Sequence, residues 1–213
     1  MIPKELYPTP ESVARKMTGL VNFDKVESIL EPSAGNGDLA AAAIAAYDAH
    51  HYSGFCEKER DPFLSDVVDL VEIDEKCRAF LKSQKAAVIA NDFLKFQTFK
   101  RYDLIIMNPP FSDGVKHILK AIEMQRYGGQ IVCLLNSETI NNPYTLERKV
   151  LVDKIKQYDG KVFDYGQCFM HSERPTDVNI SCVYIDIPRG AQSDILDGLE
   201  KAAEAEKQEF DER

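Results

Sequence analysis

The stretch Val26-Glu27-Ser28-Ile29-Leu30-Glu31-Pro32-Ser33-Ala34-Gly35-Asn36-Gly37-Asp38-Leu39 decides the fold. Residues 26–31 read as a strand, which Pro32 stops because it brings no N–H to a ladder. Ser33 to Gly37 is a turn of small residues. The alanine-rich run 39–49 behind it is a strong helix former. A strand, a glycine turn and a helix in direct succession open a βαβ unit. At such a turn a ligand approaches the backbone closely, and the helix N-terminus offers free N–H groups. The turn lacks both the GxGxxG spacing and the lysine of phosphate-binding loops, so a carboxylate-bearing ligand fits better than a nucleotide phosphate. By itself it fits a tight connection equally well.

The same rhythm continues on both sides. Residues 10–20 read as a helix. Residues 67–74, 87–90, 102–108, 130–136, 161–166 and 178–187 read as strands. Residues 75–84, 115–126 and 146–158 read as helices, with Gly128-Gly129 in place to cap the second of these. The alternation predicts an α/β fold, a Rossmann-like three-layer sandwich.

Composition narrows the class. The 213 residues hold 44% hydrophobic and 29% charged side chains, which excludes a disordered chain, a collagen and a disulfide miniprotein. The expected organisation is one domain over residues 1–189 and an acidic, helical tail over 190–213. No apolar run reaches the roughly 20 residues of a bilayer span, and Met1 to Leu6 has no signal core. Cys56, Cys77, Cys133, Cys168 and Cys182 are odd in number and form no CxxC pair, which predicts reduced thiols, a cytoplasmic protein and no metal site. The net charge of −9 counts against a stand-alone nucleic-acid binder. Residues 190–213, however, hold eight acids and three bases, so the body is closer to neutral and free to carry a local basic face.

Three further sites fall at the carboxyl ends of strands, where open α/β sheets bind ligands. Glu72-Ile73-Asp74 places an acid where it can accept from ribose hydroxyls; one of the two acids equally suits a helix cap. Asn91-Asp92-Phe93 offers an acceptor for an aromatic amine and a ring to pack on it, or else a turn residue and a core residue. Asn108-Pro109-Pro110-Phe111 is the most specific. Two prolines fix the backbone and remove two donors. Their carbonyls and the Asn108 side-chain oxygen can then hold an amino group by both hydrogens, with Phe111 as a stacking face.

In order and spacing, Tyr7-Pro8-Thr9-Pro10, Glu31 to Gly37, Glu72-Ile73-Asp74, Asp92-Phe93 and Asn108 to Phe111 resemble the class I S-adenosylmethionine-dependent methyltransferases, in their amino-methylating Asn-Pro-Pro-Phe branch. The resemblance covers most of residues 7–187. A Thr-Pro segment ahead of the glycine turn is similar to the gamma-type DNA adenine-N6 enzymes. The resemblance implies a seven-stranded, mostly parallel sheet with an antiparallel last strand, and S-adenosylmethionine as cofactor. It implies that Thr9 and Pro10 close over the methionine part and that Glu31, Ser33, Gly35 and Gly37 line that end. Glu72 would hold the ribose, and Asp92 and Phe93 the adenine. Asn108, Pro109, Pro110 and Phe111 would carry catalysis and hold the target base. Phe169, as a second aromatic face, and Arg174, toward a phosphate, would complete the substrate site; Phe169 suits the core equally.

The implied activity is methyl transfer to an exocyclic amino nitrogen, N6 of adenine in DNA before RNA. Alternatives are an RNA adenine or guanine amino group, a protein glutamine amide, and a non-catalytic cofactor-binding subunit. Restriction-type relatives add a target-recognition domain; here the acidic residues 190–213 follow the last strand, so the expected substrate is single-stranded, a structured RNA, or DNA presented by a protein partner that supplies recognition.

Overall fold

The computed structural model describes residues 7–52, 66–170 and 177–190. Cys56, Arg174, most of the 50–65 connection and the acidic tail from residue 191 lie outside the described residues. Seven strands form one sheet: β1 (Ile29–Glu31), β2 (Val68–Val71), β3 (Val88–Ala90), β4 (Leu104–Met107), β5 (Gly129–Asn136), β6 (Lys161–Gly166) and β7 (Ile180–Ile187). Their order is β3-β2-β1-β4-β5-β7-β6. The pairs from β3 to β5 are parallel, and β7 runs antiparallel between β5 and β6. This is the expected sheet, with its last strand reversed.

The helices are α1 (Glu11–Thr18), α2 (Asp38–His51), α3 (Glu75–Ser83), α4 (Gly114–Met124), the short α5 (Glu138–Asn141) and α6 (Leu146–Gln157). Both faces of the central strands are apolar, and alternation splits them between two cores. Leu104 and Ile106 of β4 face Val13, Met17, Leu39 and Ala43 of α1 and α2. Ile105 and Met107 face Ile118 and Ile122 of α4 and Leu151 and Ile155 of α6. The result is three layers.

Two boundaries differ from the sequence reading for local reasons. β1 begins at Ile29 rather than Val26 because the Glu27 and Ser28 amides donate to the Asp103 carboxylate, at 2.9 and 3.0 Å, instead of to a strand. Gly128-Gly129 does not cap α4, which ends at Gln125. The two glycines adopt φ of 112° and 141° to turn the chain into β5. A Cβ on Gly128 would lie 2.7 Å from the Arg189 Cα, so that turn requires glycine. Among the described residues, no helix is long and apolar enough to cross a membrane, and no three His, Cys, Asp or Glu side chains cluster as metal ligands.

Candidate functional site

β1, β2, β3 and β4 all end at one edge of the sheet, and the loops there enclose a cavity of about 440 Å³. That is within the range of small-molecule sites. Glu31, Ser33 and Gly35 line it from the first loop, Glu72, Ile73 and Asp74 from the second, and Asp92 and Phe93 from the third. Asn108 and Pro110 line it from the fourth, and Tyr7 and Thr9 close it from the N-terminal segment. Five motifs spread over a hundred residues thus meet in one place.

Glu72 acts first on the protein itself. Its carboxylate, buried with 6% exposure, accepts from the Gly35 amide at 2.6 Å and from the Asp74 amide at 2.7 Å. The glycine turn, with Gly35 at φ 55° and Gly37 at φ 87°, is therefore clasped to β2 by one side chain. Each oxygen keeps a further lone pair for a ligand hydroxyl. Asp74 is the helix cap: its side chain accepts from the Lys76 and Cys77 amides of α3, both at 2.9 Å, and the Cys77 amide leads the causes that hold its carboxyl below the usual range.

Glu31 is the electrostatic anomaly. It is 2% exposed, and among the described residues its Oε2 is the buried side-chain oxygen without a hydrogen-bond partner. Burial first, then the charges of Asp38 and Glu72, push its pKa well above the carboxylate range; an interaction with the Ala40 amide only partly opposes them. The folded state therefore binds a proton here that the unfolded chain releases. Stability from this group is full at acid pH and falls as pH rises from the ordinary carboxylate range toward the raised value. Glu31→Gln, which keeps the shape and carries no charge, is expected to flatten that slope. Thermal unfolding of wild type and variant between about pH 5 and 8 checks it; parallel pH profiles would show that Glu31 is charged throughout.

Asp92 is engaged by its own loop. Burial works against its charge, but Lys95 at 3.1 Å and the Leu94 amide at 3.0 Å outweigh it and hold the carboxyl below the usual range. Phe93 is 3% exposed, anchored in the second core while contributing to the cavity wall. Ile73, by contrast, is 69% exposed at the cavity.

The fourth motif is oriented by the N-terminal segment. The Asn108 Nδ2 donates to the Tyr7 carbonyl at 3.0 Å and to the Thr9 Oγ1 at 3.1 Å. A carbonyl can only accept, so the amide nitrogen must face Tyr7. Both N–H groups are thereby used, and Oδ1 is left as an acceptor. Thr9 is buried and holds Asn108 rather than only closing over a ligand. Tyr7 lies over Phe111 at 5.2 Å between ring centroids, tilted by 30°.

Several expected site residues sit elsewhere. Phe169 is 0% exposed and meets Phe111 and Tyr7 edge-on, at 6.3 and 6.4 Å, so it supports Phe111 from within the core and offers no face to a substrate. Pro10 starts α1, its carbonyl accepting from the Val13 and Ala14 amides, and does not line the cavity. Gly37 caps α2 behind the wall, and Pro109 is buried beneath it.

The sequence reading missed His117. One turn into α4, it is buried, lines the cavity, and lies 5.5 Å from the Phe93 ring. Its Nδ1 is 2.9 Å from the Asp113 carbonyl, so Nδ1 carries the hydrogen. Burial lowers its basicity, leaving a neutral ring with an acceptor Nε2. Among the described residues no activated thiol competes: Cys77, Cys133, Cys168 and Cys182 are free thiols, and burial leads the causes that raise each of them.

No family model matches the sequence, and neither does any curated protein. Solved structures do match. The chain superposes on the type I restriction-modification methyltransferase subunit of Streptococcus thermophilus with a TM-score of 0.63 at 15% identity, covering 87% of this chain and 46% of that one. A Listeria monocytogenes protein described as a class I S-adenosylmethionine-dependent methyltransferase gives 0.62 at 16% identity, covering 91% and 64%. The chain carries the class I methyltransferase fold. The O-methyltransferase of Bacillus cereus, solved with S-adenosylhomocysteine, gives 0.55 at 12% identity, covering 87% and 84%. The chain spans slightly under half the length of the type I subunits it matches, 45–46%.

Proposed function

We propose that this chain transfers the methyl group of S-adenosylmethionine to an exocyclic amino nitrogen, with N6 of adenine in DNA as the leading acceptor. The observation that carries the reading is the fixed direction of the Asn108 amide. Its two N–H groups are spent on Tyr7 and Thr9, so Oδ1 presents an acceptor, and an acceptor there selects a group that donates. An amino group fits; a carbonyl does not.

The residues present fit the cofactor. The cavity has the right size and is lined in turn by a glycine loop, an acid on β2 and the Asp92-Phe93 pair. The buried, unpartnered Glu31 Oε2 suits the ammonium of a methionine moiety. Glu72 has lone pairs left for ribose hydroxyls, while Phe93 and the Nε2 of His117 suit a purine with an amino group. When bound, the cofactor supplies an electrophilic methyl carbon on a sulfonium.

The chain then has to position and polarise. An exocyclic purine nitrogen is a weak nucleophile because its lone pair is delocalised. Asn108 Oδ1, accepting from one of its N–H groups, orients that nitrogen and stabilises the positive charge growing on it. Methylation by such a cofactor would leave that nitrogen cationic, and one of its N–H protons would pass to solvent.

The likeness to type I restriction subunits supports a nucleic-acid acceptor, and recognition of the target by a partner protein belongs to the same proposal. The test is transfer of a labelled methyl to separate pools of duplex DNA, single-stranded DNA, RNA and protein, with Asn108→Ala as control. N6-methyladenine in digested DNA is expected. Label on RNA or protein moves the acceptor, and no label in any pool overturns catalysis by the chain alone.

A further inference from the structure

Several tyrosines on the described surface carry a cation over their rings, but Tyr144 is set apart by its place. β4 and β5 run side by side, with Met107 beside Cys133. The Asn108 turn and the end of β5 at Asn136 therefore leave the sheet at the same edge. α5 starts there, and Tyr144 lies in the connection from α5 to α6. α4, which begins beside the cavity-lining Asp113, packs against α6 through Ile118, Ile122, Leu151 and Ile155. The connection that carries Tyr144 thus follows from the same edge of the sheet as the Asn108 turn.

The feature there is built rather than loose. Tyr144 is 67% exposed, and the Arg148 guanidinium lies 4.5 Å from its ring centroid. Arg148 Nη1 donates to the Glu138 and Asn142 carbonyls, both at 3.3 Å. The Tyr144 amide donates to the Asn142 carbonyl at 2.9 Å. Thr145 caps α6 by accepting from the Arg148 amide at 3.3 Å. Main-chain and side-chain bonds thus hold an aromatic ring against a planar cation out in solvent. α6 itself carries Arg148, Lys149, Lys154 and Lys156 against Glu147 and Asp153, a positive helix in a chain of net charge −9. Positive charge beside an exposed ring favours a polyanion with aromatic groups over an acidic or apolar protein surface.

We infer that Tyr144 and Arg148 form a stacking platform for an unpaired nucleobase next to the target, with its phosphate toward Arg148 and Lys149. The inference rests on the proposed function and names how that substrate is gripped outside the cavity. Every base has a π-face, so such a platform binds without reading sequence. It keeps a displaced strand open while the neighbouring base enters the Asn108 pocket.

The test is fluorescence anisotropy of a labelled single-stranded DNA oligonucleotide on the full chain, with cofactor affinity measured in parallel. Tyr144→Ala is expected to weaken oligonucleotide binding about tenfold or more and to leave cofactor affinity unchanged. Tyr144→Phe, which keeps the ring, is expected to bind within about twofold of wild type. Tyr127 is the control: it too stacks on guanidinium groups, of Arg101 and Arg126, but precedes β5 at the opposite end of the sheet. Tyr127→Ala should leave binding unchanged. Equal losses in both alanine variants, or none in Tyr144→Ala, would overturn the platform while methyl transfer to DNA stands. A wild-type chain that binds no oligonucleotide and labels only protein would overturn both.

Discussion

Asn108→Ala is expected to slow methyl transfer by roughly 10²–10³-fold, the scale on which removal of one oriented polar group costs an enzyme its transition state. Cofactor affinity should stay within a few-fold, because the residues proposed to hold the methionine and ribose parts belong to the loops after β1 and β2. The interaction at stake is made with the reacting nitrogen, so the loss should fall on kcat more than on KM. Two companion variants separate chemistry from architecture. Asn108→Asp keeps the shape but has no donors, and its carboxylate meets the Tyr7 carbonyl oxygen, now two acceptors face to face. It should be as inactive as the alanine variant. Thr9→Val removes one of the two anchors and leaves the Tyr7 carbonyl, so an intermediate loss is expected, with Thr9→Ser restoring the rate. Loss of cofactor affinity in parallel with rate across the set would show that the turn is scaffolding and would remove Asn108 from the chemistry.

The sheet was legible because its central strands are buried on both sides. Runs such as Leu104-Ile105-Ile106-Met107 read as strands without tertiary information, and the turn residues after β1 and β4 mark their ends. What stayed hidden depends on partners far apart in sequence. Thr9 and Asn108 are 99 residues apart, and Glu72 and Gly35 are 37 apart, so neither bond has a local signature. The resemblance gives Thr9 a place over the cofactor's methionine part; only the fold shows that the threonine orients the asparagine. His117 has no local signature either, since a lone histidine on an amphipathic helix is common. The signal was its place, one turn beyond Asp113, where α4 begins at the cavity. Phe169 was ambiguous for the opposite reason: an aromatic residue between two strands serves core or pocket equally until the packing of Tyr7 and Phe111 decides it.

Glu72→Ala is expected to cost the empty protein about 2–4 kcal/mol, as well as most of its cofactor affinity. If Glu72 were a ligand contact alone, the role the family resemblance implies, its removal would leave stability unchanged. The structure gives it two backbone amides, at 2.6 and 2.7 Å, inside a site that is 6% exposed. Hydrogen bonds to a charged group contribute roughly 1.5–3 kcal/mol each, and here both donors are left facing an apolar methyl. Solvent entering the cavity can satisfy part of that deficit, which keeps the expected loss below the sum of the two. The Gly35 amide is the more consequential, because Gly35 sits at positive φ in the turn that must meet the ligand; freed from Glu72, the turn loses its register against β2. Glu72→Gln separates the terms. Its amide oxygen can keep one acceptor contact, but its NH₂ then points at the other backbone N–H, so about half the stability loss is expected. Urea unfolding without cofactor gives the first quantity and calorimetric titration with S-adenosylhomocysteine the second. Full stability with lost affinity would make Glu72 a ligand contact alone. Lost stability with intact affinity in the folded fraction would make it a structural clasp alone. Loss of both, graded from glutamine to alanine, is the signature of one carboxylate that shapes the turn and then shares its remaining lone pairs with what the turn receives.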